Sequence, residues 1–106
     1  MTCLILQDWY DRQGKHITCA REIARLFTNI SYKRVAETTL SNGTRVSTVW
    51  LGLDHNFGMG RPLIFETMVF SSRGTGADSD CERYAMEAEA LEGHARMVRR
   101  WEIGEE

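Results

Sequence analysis

The chain has 106 residues, of which 42% are hydrophobic and 26% charged, and its formal net charge is −2 at pH 7. These values predict one soluble globular domain, spanning residues 1–106, that is large enough to bury its own core. The absence of a basic stripe argues against direct nucleic-acid binding, and the absence of a run of about 18 apolar residues argues against a membrane span. Three cysteines without CxxC spacing, Cys3, Cys19 and Cys81, are typical of reduced thiols in the cytoplasm.

The first half of the chain predicts a strand, a helix and a hairpin. The predicted elements are a strand at residues 3–9, a helix at 19–27, and strands at 33–40 and 44–53. Thr18 is placed to cap the helix, because its hydroxyl can accept a hydrogen bond from a free N–H of the first turn. Asn42-Gly43 predicts a two-residue hairpin turn between the two later strands.

The second half predicts more strand and a longer helix. Strands are expected at residues 63–70 and 81–84, and a helix at 87–101. The helix has an apolar stripe made of Ala90, Leu91, His94, Met97, Val98 and Trp101. Together the elements predict an α+β fold, an antiparallel sheet of four to five strands with two helices packed on one face.

The most informative stretch is residues 47–70, two apolar strands joined by a glycine-rich loop that carries Asp54 and His55. Strand alternation places Val49, Leu51, Leu53 and His55 on one face, which we expect to face the helices. His94 also lies on an apolar stripe, so the two histidines are expected to converge at one end of the sheet.

Such a pair has two interpretations. The histidines can be a metal pair or an acid–base couple, or each can be a hydrogen-bonded residue at the edge of the core. Because the chain contains no HxxxH, HxH or HExxH spacing, no metal is expected. No other cofactor is expected either.

Glu66 lies on a predicted strand whose two faces are both apolar. Such a strand is covered on both sides, either by a thicker core or by a second subunit, which would make the protein a homo-oligomer. A buried carboxylate requires a partner. Arg45, Arg61 or Arg83 can supply it, or Glu66 can grip a ligand.

Gly93 and the aromatic side chains are also open to two interpretations. A glycine inside a helix indicates either close helix–sheet packing or access for a ligand beside His94. Several aromatic side chains can stack on a base or sugar, or can belong to the core. They are Trp9, Tyr10, Trp50, Phe57 and Tyr84. The candidate ligand-binding residues are therefore Trp50, Asp54, His55, Phe57, Glu66 and His94.

Two stretches, WLGLDHNFGMGRPLIFETMVF and ERYAMEAEALEGHARMVRRW, resemble a family of small proteins encoded by phages and prophages. The similarity covers about half the chain. The matching residues are Ser47 to His55, Phe57, Gly58, Gly60, Pro62, Phe65 to Met68, Phe70, Glu82 to Tyr84, Gly93 and His94. The family usually has Thr or Ser where this chain has Met86, the expected N-cap of the last helix, which implies a less stable helix start.

The resemblance implies an accessory protein in the host cytoplasm that acts by stoichiometric binding and counters host defence. Its partner would be a host defence protein, such as a CRISPR component, or a small nucleotide signal. The alternative is a small metal-dependent hydrolase of a phosphoester or similar bond. In that case Asp54, His55 and His94 would hold the metal and Glu66 would act as the general base.

Overall fold

The computed structural model describes residues 8–71 and 80–102. The elements in chain order are β1 (Trp9–Tyr10), β2 (His16–Ile17), α1 (Ala20–Phe27), α2 (Ile30–Lys33), β3 (Arg34–Thr39), β4 (Arg45–Trp50), β5 (Phe65–Phe70), β6 (Asp80–Tyr84) and α3 (Glu87–Glu102). The predicted α+β fold is confirmed. No helix among the described residues is long and apolar enough to cross a membrane. Most of the strand predicted at residues 3–9 lies outside the described residues.

The main sheet is antiparallel throughout, with strand order β3-β4-β5-β6. Successive strands of the chain are neighbours in the sheet, which is the arrangement that short connections favour. The β3–β4 hairpin is confirmed, but its turn has three residues. Leu40 N–H donates to Thr44 O (2.8 Å), and of the two predicted positions only Gly43 has a positive φ, of 91°. A three-residue loop with glycine in the left-handed conformation has this geometry.

Helix α3 packs across the sheet and contacts all four of its strands. The strand face beneath it carries Val46, Thr48 and Trp50, all of them buried. The expectation that Val49, Leu51, Leu53 and His55 face the helices is therefore wrong. Those residues do alternate away from the buried set, but the helix-facing side includes a threonine, Thr48, whose polarity resembles that of an outward position.

The apolar stripe predicted for α3 is largely confirmed. Ala90, His94, Met97 and Trp101 are buried against the sheet. Leu91, by contrast, is 47% exposed and does not belong to the buried face.

The N-terminal elements pack on the same face of the sheet as α3. Leu26 of α1 belongs to the same buried cluster as Trp50, Tyr84 and Ala90, so α1 and α3 lie on one face of the sheet. A bidentate ion pair from Arg12 to Glu87, at 2.6 and 2.9 Å, joins the β1–β2 connection to the start of α3.

Two predicted boundaries differ from the structure. The N-cap of α1 is Cys19 and makes no side-chain capping bond, so the expectation for Thr18 is wrong. Strand β4 ends at Trp50 rather than at residue 53, because Gly52 adopts a φ of 81° that is incompatible with a continuing strand.

Gly93 is required by the packing of α3 on Tyr84. A Cβ added at Gly93 would overlap the phenol oxygen and ring carbons of Tyr84. The buried Tyr84 ring therefore occupies the space that a side chain would need, and close helix–sheet packing is the reason for the glycine.

Substituting Gly93 by Ala is expected to lower the free energy of unfolding by about 1–3 kcal/mol, because overpacking outweighs the gain in helix propensity. Urea denaturation of the two proteins measures this difference. Ala95→Gly, at an exposed position of the same helix, is the matched control. A Gly93→Ala protein more stable than the parent would contradict the observed packing.

The start of α3 has half of a capping box. Ala90 N–H donates to the carbonyl of Met86 (3.0 Å), which places Met86 at the N-cap, where its side chain can accept no hydrogen bond. The Glu89 carboxylate accepts the backbone N–H groups of Ala85 and Met86 at 3.3 and 3.1 Å. Glu89 thus makes the reciprocal bond of a capping box whose hydroxyl half is missing.

Substituting Met86 by Thr is expected to raise the free energy of unfolding by about 1 kcal/mol, because the hydroxyl completes the capping box. Met86 is 54% exposed, so its removal costs little core packing. Thermal and urea denaturation measure the gain. Met86→Ala removes the same side chain without supplying a cap, and an equal gain in that variant would show that capping is not the cause.

Candidate functional site

A cavity of about 390 Å³ lies between the N-terminal elements and the end of β4 with the residues that follow it. We call it the aromatic cleft. Its lining residues are Trp9, Phe27, Lys33, Val49, Trp50, Leu51, Leu53 and His55. Its volume is within the range of sites that hold small molecules, and most of its lining is apolar or aromatic.

Close backbone contacts position the walls of the aromatic cleft. Trp9 forms a β-bridge with Leu53, and Tyr10 N–H donates to Gly52 O at 2.9 Å. A Cβ at Gly52 would lie 2.7 Å from the Trp50 ring and 2.9 Å from the Trp9 ring. The glycine therefore lets both indole rings approach the chain where β4 ends, and this approach forms the floor of the cleft.

Two polar side chains lie in this apolar lining. The Lys33 ammonium is 4.2 Å from the centroid of the Phe27 ring. Lys33 is half-buried and has no carboxylate within ion-pair distance among residues 8–71 and 80–102. His55 Nδ1 lies 2.8 Å from Leu53 O. Because a carbonyl only accepts, Nδ1 carries the proton and Nε2 of the neutral ring is an acceptor.

Asp54 organises the loop that follows the cleft. Its buried carboxylate accepts the backbone N–H groups of Asn56 (2.7 Å), Gly58 (3.0 Å) and Leu63 (3.1 Å). Burial alone would raise the pKa of Asp54, but these three donors outweigh it and hold the pKa below its usual value. Asp54 thus serves the conformation of the loop, and the cleft lining does not include it.

His94 is buried beneath α3 and bonded through both ring nitrogens. Nδ1 lies 2.7 Å from Thr48 Oγ1, and Nε2 lies 2.9 Å from Thr38 Oγ1. Burial lowers the pKa of His94, and the nearby Glu37 carboxylate opposes this only in part. His94 is therefore a neutral, hydrogen-bonded core residue at neutral pH.

Threonine hydroxyls link His94 to the neighbouring strand. Thr48 Oγ1, which lies 2.7 Å from His94 Nδ1, also lies 2.5 Å from Thr67 Oγ1. Tyr84, also buried beneath α3, donates its phenol O–H to Glu82 (3.0 Å). Burial raises the pKa of Tyr84 to about 12, so the phenol keeps its proton at neutral pH.

The two histidines do not converge. His94 lies between α3 and the sheet, whereas His55 lines the aromatic cleft beyond the end of β4. No group of three or more His, Cys, Asp or Glu side chains in the described part of the chain is arranged to hold a metal ion. The structure thus does not bring Asp54, His55 and His94 together.

Glu66 lies on the outward side of β5 and is paired with Arg83, whose Nε lies 3.0 Å from its carboxylate. The thiol of Cys81 donates to the same oxygen at 3.3 Å. The ion pair is one of those expected from the sequence. Glu66 is therefore held by protein groups and does not line the aromatic cleft.

Of the six candidate residues, Trp50 and His55 line the aromatic cleft. Phe57 is 66% exposed in the loop, with a φ of 52°. Lys33 and Phe27 were not singled out by sequence reasoning as ligand-binding residues. The sequence signal for the cleft was the alternation of Val49, Leu51, Leu53 and His55, which does mark one surface, although that surface lines a cavity rather than the helix-facing core.

Comparisons with known protein families, with functionally described proteins and with solved structures found no match to this chain.

The buried position of His94 predicts a pH-dependent stability. Because its pKa is lower in the folded than in the unfolded protein, the unfolded chain binds more protons between the two values. The free energy of unfolding should therefore fall as the pH drops below about 6.5, the ordinary value for histidine. Denaturation curves between about pH 5 and 7 measure the slope.

His94→Gln is expected to be less stable than the parent at pH 7 and to show a shallower slope. Gly93→Ala, which is expected to lower stability without removing a titratable group, is the control and should keep the parent's slope. An unchanged slope in His94→Gln would assign the pH dependence to other groups.

Proposed function

We propose that this protein is a phage-encoded accessory protein that acts in the host cytoplasm by stoichiometric binding of a small nucleotide and so counters a host defence signal. The aromatic cleft is the proposed site. The phage assignment rests on the sequence resemblance, and the ligand class rests on the chemistry of the cleft.

The observation that carries the ligand class is a half-buried lysine inside an apolar, aromatic cavity. Trp9 and Phe27 supply flat surfaces on which a base can stack. Lys33 supplies a positive charge that no carboxylate of the described residues neutralises. The acceptor Nε2 of His55 matches an exocyclic amino group or a sugar hydroxyl. A base linked to a phosphate has all three complementary features.

Binding is favoured over catalysis because the side chains best suited to chemistry already have protein partners. Asp54 accepts three backbone N–H groups, Glu66 pairs with Arg83, and His94 bonds two threonines. The hydrolase alternative requires Asp54, His55 and His94 to share one ion, and no contact among them supports this alternative.

Inhibition of a host defence protein would use an exposed apolar surface instead of a cavity. Phe57 and Met59, 66% and 79% exposed in the loop, are the residues such a surface would use. The cleft has a defined volume and a lysine, Lys33, that can pair with a phosphate, so we prefer a nucleotide as the partner.

Native mass spectrometry and titration calorimetry test the proposal with AMP, adenylyl-adenosine (ApA), cyclic di-AMP and ADP-ribose. At least one of them should bind at one molecule per protomer without being converted to product. Lys33→Met, which keeps the length of the side chain, should weaken binding by about tenfold, equivalent to one charge-assisted hydrogen bond.

Lys15→Met is the matched control, because Lys15 is an exposed lysine away from the cleft. Its affinity should equal that of the parent. If none of the four nucleotides binds, or if Lys33→Met and Lys15→Met bind equally well, the cleft is not a nucleotide site. Turnover of any probe would overturn the binding assignment in favour of an enzyme.

A further inference from the structure

A second cavity, of about 480 Å³, adjoins the aromatic cleft along α1. We call it the helix cavity. Its lining residues are Trp9, Ala20, Ile23, Ala24, Phe27 and Thr28. Trp9 and Phe27 line both cavities, so the two form one continuous apolar surface with an aromatic pair at their boundary.

The boundary pair has ring surface available to each cavity. The Trp9 and Phe27 rings meet edge to face, with centroids 5.5 Å apart and planes at 88°. Phe27 is also 42% exposed, so the pair is not sealed inside the core. A flat group in either cavity can therefore contact one of these rings.

The charge lies at the same boundary. Lys33 is the only charged residue apart from the titratable His55 in the two linings, and its ammonium is 4.2 Å from the Phe27 ring that the cavities share. The helix cavity itself has no charged lining residue. A ligand that fills both cavities thus needs an apolar or aromatic group at each end and its negative charge in the middle.

We infer that the two cavities together hold a dinucleotide, with one base in the aromatic cleft, one base in the helix cavity, and the bridging phosphate at Lys33. This inference rests on the proposed function and narrows its ligand to molecules that have two bases. A mononucleotide would leave the helix cavity empty and forgo stacking there, which is worth about 1–3 kcal/mol per base in proteins that bind single strands.

The test compares AMP with ApA, which adds a second base through one phosphodiester. Titration calorimetry on the full chain should give a dissociation constant for ApA at least about tenfold lower than that for AMP, as expected when one more base stacks. Both should bind at one molecule per protomer.

Two tryptophan variants locate the second base. Ala24→Trp places a bulky ring in the helix cavity from an exposed position of α1, so the AMP-to-ApA ratio of dissociation constants should fall towards 1. Ala88→Trp makes the same substitution at an exposed alanine of α3 outside both cavities, and it should keep the parent's ratio.

The outcomes separate the two proposals. Equal affinity for AMP and ApA overturns the dinucleotide inference and leaves the single-base site intact. A full ApA advantage in Ala24→Trp also overturns it, since the second base would then lie elsewhere. If neither nucleotide binds, and cyclic di-AMP and ADP-ribose also fail, the proposed function itself is wrong.

Discussion

The indole of Trp50 joins the N-terminal elements to the sheet, and both the core and the aromatic cleft depend on it. Its N–H donates to Tyr10 O at 2.9 Å, and the Tyr32 ring packs against it edge to face at 5.0 Å. The side chain is 1% exposed and belongs to the cluster that holds α1 and α3. Position 52 is a glycine because a Cβ there would collide with this ring. Strand β4 ends at this point, and the cleft lies beside its end.

Each side of β4 carries one residue of unexpected polarity. Beneath α3, Thr38 and Thr48 bond the two ring nitrogens of His94, and Thr48 also contacts Thr67. No buried side-chain nitrogen or oxygen in the described residues lacks a partner, so this polar interior costs little. The outward side carries Val49, which lines the cleft together with Leu51 just after the strand. Strand β4 thus buries one polar side chain, Thr48, between Val46 and Trp50, and presents one apolar side chain, Val49, to the cleft.

These two exceptions to the usual alternation bear on which features the sequence could predict. Helix α3 and strand β5 have strong periodicity that tertiary packing reinforces, and both lie close to their predicted positions. The outward face of β4 could not be recognised, because apolar alternation marks a surface without saying what covers it. The chain path after Trp50 depends on the Gly52 conformation, which follows from tertiary contact with two indole rings and has no local signal. The expectation that His55 and His94 converge was wrong for the same reason, because the chain path after Trp50 places His55 in the cleft and away from α3.

Lys33 is a half-buried residue of the aromatic cleft, and its ammonium contacts the Phe27 ring. A cation–π contact of this kind is worth about 0.5–1 kcal/mol at an exposed site. The other half-buried basic side chain of the N-terminal elements, Arg12, is held by a bidentate carboxylate and a backbone carbonyl. Lys33 has no such counter-charge among the described residues. Under the proposed function, the phosphate of a ligand in the cleft supplies it, and the base stacks on the rings that the packing around Trp50 places beside Lys33.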